Sequence, residues 1–269
     1  MSRTVRGVAL VTKGYKIGSL RRYVTPEILG GVMKPFVFLD HISIEDGERI
    51  PEFGFHPHSG IATVTFMLSG ESWYEETTGA KGVLAEGSVE WMNAGAGVWH
   101  RGGPLGSPVN GFQLWVALPQ SLELSLPHSQ YVSSDELPEV GPVKVILGEF
   151  EGEKSEIRSP EGVVYISVQL EQEEEFIYTS SLADEIVWVL VHSGSLLVGE
   201  REIKKGELVV FDSAGSKVLL FARHDSGFIL GAAPRHPYPL VIGPYSVHTS
   251  EESLAIGEAN ISRIASRLK

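Results

Sequence analysis

Apolar and polar positions alternate in short runs along nearly the whole chain. "PFVFLDHI" (35–42), "IATVTFMLSG" (61–70), "SVEWMNAG" (88–95) and "NGFQLWVALP" (110–119) carry the pattern through the first half. "PVKVILGEF" (142–150), "GVVYISVQL" (162–170), "IVWVLVHSGSLLVG" (186–199), "GELVVFD" (206–212), "SKVLLFAR" (216–223) and "SGFILGAAP" (226–234) carry it through the second. These segments are rich in Val, Ile, Phe, Trp and Tyr and are bounded by turn residues, which predicts β-strands. Their number and spacing predict an all-β chain built from barrels or sandwiches. Helical periodicity is confined to "SEESLAIGEANISRIASRLK" (250–269). There Ser250 is placed to cap, Glu251 and Glu252 suit a first turn, and Leu254, Ile261, Ile264 and Leu268 form a partial apolar stripe.

A polar, turn-rich stretch, "HSQYVSSDELPEVGP" (128–142), separates two strand-rich halves and predicts one division into 1–130 and 131–269, the helix falling in the second part. The halves share an internal order. Residues 66–95 and 189–215 each read as strand, Ser-Gly or Gly-Ser turn, strand, Gly/Glu turn, strand, which predicts a repeated β-unit.

Composition narrows the function classes. The 269 residues carry a net charge of −12, so a surface that neutralises nucleic-acid phosphates is not expected. The absence of cysteine excludes disulfides, thiolate metal sites and cysteine nucleophiles. No apolar run reaches the roughly 18 residues of a membrane span, and the N-terminus has no signal-like run, so a cytoplasmic protein without membrane contact is expected. The acidic run "EQEEEF" (171–176) reads as a solvated edge.

The chemistry gathers in "GFHPHSGIATVTF" (54–66). On an extended backbone His56 and His58 point to one face, as a pair of metal ligands would. His100 closes the Gly-rich "NAGAGVWH" (93–100), and the hairpin region between could bring it to the pair. Neutral imidazole suits Zn, Fe, Cu and Ni. The plainer alternative is two ordinary histidines beside a turn. His41, His128, His192, His224, His236 and His248 stand alone and read as structural.

"PFVFLDHI", "FGFHPHSGIATVTFMLSG", "GSVEWMNAGAGVWH", "GFQLWVALP" and, near the far end, "IGPYSVHTSEESLAIGEA" (242–259) together closely resemble the pirin family of bicupins. The resemblance implies two stacked cupin barrels with a short C-terminal helix, the N-terminal barrel holding one metal ion, commonly iron. It implies His56, His58 and His100 as ligands, with iron favoured over zinc or nickel. It also implies Gln113 and Trp115 as pocket lining near the metal; barrel interior is the plainer reading of both. Some members of the family act as quercetin 2,3-dioxygenase-like enzymes, and others are regulatory partners of proteins. A small aromatic ligand and a protein partner are therefore both expected candidates.

The chain departs from the family pattern twice. The family's fourth ligand is a glutamate two residues after the last histidine, where "HRGGP" has Gly102. A second family acid falls at Ala62, which strand alternation would place on the same face as His58. Arg101 could bring a charge to the site or simply face solvent. Glu75, Glu76 and Glu90 are the candidate replacement acids. Two function classes follow. One is a quercetinase-like dioxygenase of low or altered activity. The other is a non-catalytic bicupin, with or without metal, that is regulatory or binds a small molecule.

Overall fold

The computed structural model describes residues 4–48, 53–180, 182 and 184–268. The alternating segments form antiparallel strands that assemble twice into one pattern. In the first copy, a seven-stranded sheet runs in the spatial order His128–Val132, Val89–Asn93, Ile61–Ser69, Val109–Ala117, Phe36–Ile44, Leu20–Val24, Tyr15–Ile17. Beside it lies a four-stranded sheet, Phe53–His58, Val98–Pro104, Ser72–Glu76, Lys81–Leu84. The second copy has a seven-stranded sheet ordered Val8–Thr12, Leu208–Phe211, Glu185–Ser193, Ser226–Pro234, Val164–Leu170, Val143–Leu147, Glu139–Val140. Its four-stranded partner is Glu175–Thr179, Lys217–Ala222, Ser195–Val198, Arg201–Lys204. The repeat expected from the two Ser-Gly and Gly-Ser turns is therefore a whole two-sheet unit occurring twice.

The division of the chain differs from a single cut at 130/131. Residues 15–136 form one compact unit with 236–268, and residues 4–14 form the other with 137–235. The reason lies in the sheet edges. Val8–Thr12 pairs with Leu208–Phe211 and so completes the seven-stranded sheet of the second barrel. An exposed strand edge is satisfied by whichever segment offers backbone partners, wherever that segment sits in the sequence.

The helix Glu251–Ala265 is likewise reassigned, from the second barrel to the first. Ser250 caps it, its side chain accepting from the Ser253 amide. Trp99, on the strand Val98–Pro104, donates its indole N–H to the Ile261 carbonyl at 2.8 Å. Ser253 and Gly257 are the helix's fully buried residues, with Leu254, Ile261 and Ile264 of the expected stripe partly buried beside them and Leu268 exposed. A Cβ on Gly257 would come within 2.5 Å of Ser59 Oγ and 2.6 Å of His248 Nε2, so the helix approaches too closely for any larger residue.

The two barrel interiors differ in kind. The second is filled by aliphatic and aromatic side chains, among them Val189, Val209, Leu230, Phe176 and Phe228. The first contains a cavity of about 400 Å³. Among the described residues, no helix is long and apolar enough to cross a membrane.

Candidate metal centre

Three histidines meet at one end of the cavity. His56 and His58 lie two apart on Phe53–His58, so pleating turns both to the same side. Val98–Pro104 pairs antiparallel with that strand and sets His100 directly opposite His56. The ring centroids lie 4.3 Å apart for His56 and His100 and 5.1 Å apart for each of the other two pairs. One nitrogen from each ring falls within 4.8 Å of the others, so the three could hold one ion.

The second nitrogens set the tautomers. His56 Nδ1 donates to the Gly54 carbonyl at 2.8 Å, and His58 Nδ1 donates to the Tyr245 carbonyl at 3.0 Å. A carbonyl can only accept, so each ring carries its proton on Nδ1 and keeps its Nε2 lone pair for another partner. His100 Nε2 is buried and has no hydrogen-bond partner. Burial lowers the proton affinity of all three rings; that of His58 falls to about 3, with the neighbouring His56 contributing, and that of His100 falls well below the ordinary value. All three are neutral near pH 7, the form that ligates a cation.

The cavity continues away from the histidines between aromatic and polar walls. The Phe38 and Trp115 rings stack at 4.3 Å, and Trp115 meets the His58 ring edge-on at 4.8 Å. Gln113, two residues before Trp115, also lines the cavity. Of the candidate replacement acids, Glu90 lines it and is buried. Glu76 lies opposite His100 on the neighbouring strand, buried, and accepts from the hydroxyls of Thr78, Ser129 and Tyr131. Glu75 is half-exposed and ion-paired to Arg101 at 2.5 Å, which occupies the one cation adjacent to His100 in sequence. The remaining histidines stay apart from the trio. His41 stacks on Phe112, His236 donates to the Leu118 carbonyl, and His248 sits in a buried chain with Glu123 and Ser59.

A family model described as Pirin matches residues 20–116. A pirin-like protein of Arabidopsis thaliana is 32% identical over 236 residues, which is 81% of this chain and 75% of its own length. The chain belongs to the pirin family. The crystal structure of a quercetin 2,3-dioxygenase from Acinetobacter baumannii shares its fold, with TM-score 0.87 at 21% identity over 96% of this chain and 97% of that one. A bacterial pirin from Escherichia coli, solved in complex with nickel(II), matches with TM-score 0.65 at 19% identity over 86% and 96% of the two chains.

The structure shows what surrounds the two positions where the sequence reading expected acids, 102 and 62. At Gly102 an added Cβ would fall 2.5 Å from the Trp73 carbonyl oxygen on the facing strand. The pairing register with Phe53–His58 also shifts between His100 and Gly102. A glutamate cannot be accommodated there without moving the strand. Ala62 does not share a face with His58. The chain turns at Ser59 and Gly60 into a different sheet, and the cavity-lining residues of Ile61–Ser69 are Thr65 and Met67, which leaves Ala62 on the opposite side. Alternation holds only within one strand, and the turn resets it.

Sequence reading had no means of finding the Tyr245 carbonyl, because a backbone acceptor carries no residue signature. The inward acid at Glu90 did leave a signal: a charged residue between Val89 and Trp91 in an otherwise buried strand.

Proposed function

We propose that His56, His58 and His100 hold one divalent metal ion. We further propose that the adjoining cavity receives a small hydroxylated aromatic molecule, oxidised in the manner of a quercetin 2,3-dioxygenase at low or altered activity. The bare, buried Nε2 of His100, facing two rings whose Nδ1 protons are held by carbonyls, carries this reading. A buried imidazole nitrogen without a partner costs free energy that a bound cation would recover. Iron is our assignment, with zinc and nickel as the competing ions an all-imidazole set also suits.

A bound ion would polarise a ligand oxygen and favour its anion. The chain supplies the rest. Trp115 and Phe38 offer a flat apolar wall against which a ring can lie. His58 is fully buried and His56 and His100 partly so, and that burial keeps the three rings neutral. With Gly102 in the glutamate's place, the three ligands are all uncharged, so an anionic substrate oxygen would meet no ligand carboxylate.

A second reading is favoured by that same glycine: a bicupin that binds its small molecule, or a protein partner, without turning it over. Elemental analysis of protein purified without added metal or chelator, beside His56→Ala/His58→Ala, tests the first proposal. About one equivalent per chain in the wild type and none in the variant is expected, with oxygen uptake on quercetin that stops in the variant. A wild type that stays empty after incubation with Fe(II), Zn(II) and Ni(II) overturns it. Full metal without oxygen uptake assigns the second reading.

A further inference from the structure

Cross-strand pairing places six polar residues in one row over the inner wall of the first barrel. Tyr131 faces Glu90, Glu90 faces Thr65, Thr65 faces Gln113, Gln113 faces Asp40, and Asp40 faces Arg22. Five of the six, all but Tyr131, line the cavity. The second barrel is an internal control for this row. Its equivalent positions, in register, are Val11, Val209, Val189, Leu230, Ile166 and Val145. All are aliphatic and packed into that barrel's core. The fold therefore builds the row from hydrocarbon when nothing else is asked of it, and a polar version carries desolvation costs that packing alone does not repay.

The row is satisfied at one end and leaves a buried acceptor near the other. Arg22 neutralises Asp40 through two 2.8 Å hydrogen bonds. Thr65 donates to Glu90 Oε2 at 2.5 Å, and Gln113 lies 3.1 Å from the same hydroxyl. The Tyr131 hydroxyl is given to Glu76. Glu90 Oε1 is left buried with no hydrogen-bond partner, on a residue that lines the cavity. Among the described carboxylates of this row it is the oxygen without a partner.

Resting on the function proposed above, we propose that Glu90 is the base for the aromatic ligand, doing from the strand Val89–Asn93 what position 102 cannot do from Val98–Pro104. Glu90 Oε1 takes the proton of an acidic ring hydroxyl, the O–H electron pair stays on the ligand oxygen, and Glu90 becomes a neutral acid. Thr65 holds the other carboxylate oxygen in place, with Gln113 behind it. The neighbouring titratable groups are Glu76 and Tyr74 on Ser72–Glu76 and Tyr131 on His128–Val132. Burial, with the charge of Glu76 adding to it, raises the Glu90 proton affinity to about 7 against the opposing hydrogen bonds of Thr65 and Tyr131, which suits a group that must accept a proton near neutrality.

The test compares wild type and Glu90→Gln, both metal-loaded and oxygen-free, titrated with quercetin from pH 5 to 9. The readout is the long-wavelength absorption of the flavonol anion. Expected is equal metal content in both, with the pH midpoint for anion formation in the variant raised by about one unit or more, a tenfold change in proton affinity. Thr65→Val, which copies Val189 and so suits the fold, is expected to shift the midpoint in the same direction by less. Equal midpoints in wild type and Glu90→Gln overturn the assignment of Glu90 alone. So does loss of metal from Glu90→Gln, which would tie Glu90 to the ion instead of the ligand. A wild type that holds no metal or takes up no quercetin overturns the proposed function and this inference together.

Discussion

His58 Nδ1 donates to the carbonyl oxygen of Tyr245 at 3.0 Å, across 187 residues of chain. The barrel strand supplies the imidazole, and the segment before the C-terminal helix fixes its tautomer. The acceptor is itself held nearby: Val247 N–H bonds to the Ser59 carbonyl, and Ser59 Oγ meets both Ser246 Oγ and His248 Nε2.

Loosening that segment should reach the histidines. His248 Nδ1 faces Glu123 Oε2 at 3.2 Å, both side chains buried, and Glu123 also accepts from the Thr249 amide and hydroxyl. His248→Ala leaves the buried Glu123 one partner short and Ser59 without its imidazole neighbour, and is expected to cost about 2–4 kcal/mol in denaturant unfolding. It is also expected to weaken metal retention roughly tenfold in chelator competition, the usual cost of losing support for a ligand. Metal affinity equal to wild type would separate the segment from the site.

Placing an acid at position 102 should fail. Gly102→Glu places a Cβ against the Trp73 carbonyl at 2.5 Å, backbone that cannot swing aside. A loss of about 1–3 kcal/mol is expected, with no gain in metal affinity. A stable variant that binds metal more tightly would mean that the strand relaxes and the position is open to a ligand.

Glu90 should leave a mark on stability. Its proton affinity rises from 4.5 in the unfolded chain to about 7 in the folded protein, burial being the main cause. Between those values the native state keeps a proton that the unfolded state has lost, so stability falls as pH rises through the window. Glutamine has no proton to lose. Glu90→Gln is expected to gain on wild type by about 3 kcal/mol between pH 4 and pH 8, read from paired urea titrations. A pH-independent difference would place the Glu90 carboxylate in water.

The aromatic wall should govern ligand affinity without touching the ion. Trp115 stacks on Phe38 and meets the His58 ring edge-on, yet donates nothing to the histidines. Trp115→Ala is expected to weaken quercetin binding about tenfold, the scale of one lost aromatic pair, at unchanged metal content. Equal affinity for quercetin would put the ligand elsewhere in the cavity.

The sequence by itself determined the strands, the repeat and the pairing of His56 with His58, while strand pairing brought His100 to them. Each rests on local rules: alternation with period two, turn residues at strand ends, and the shared face of His56 and His58. The helix cap at Ser250 was legible for the same reason. What the tertiary structure decided was everything that depends on which strands become neighbours. Ala62 looked like a cavity position because alternation was carried across the turn at Gly60, where the chain changes sheets. The helix looked like part of the second barrel because it follows that barrel in sequence, yet its fully buried residues, Ser253 and Gly257, pack closely against the first. Glu90, Thr65, Gln113 and Asp40 lie on four separate strands, and only pairing register lines them up. Register is set by the whole sheet, through hydrogen bonds between segments far apart in the chain, and so no short stretch of sequence contains it.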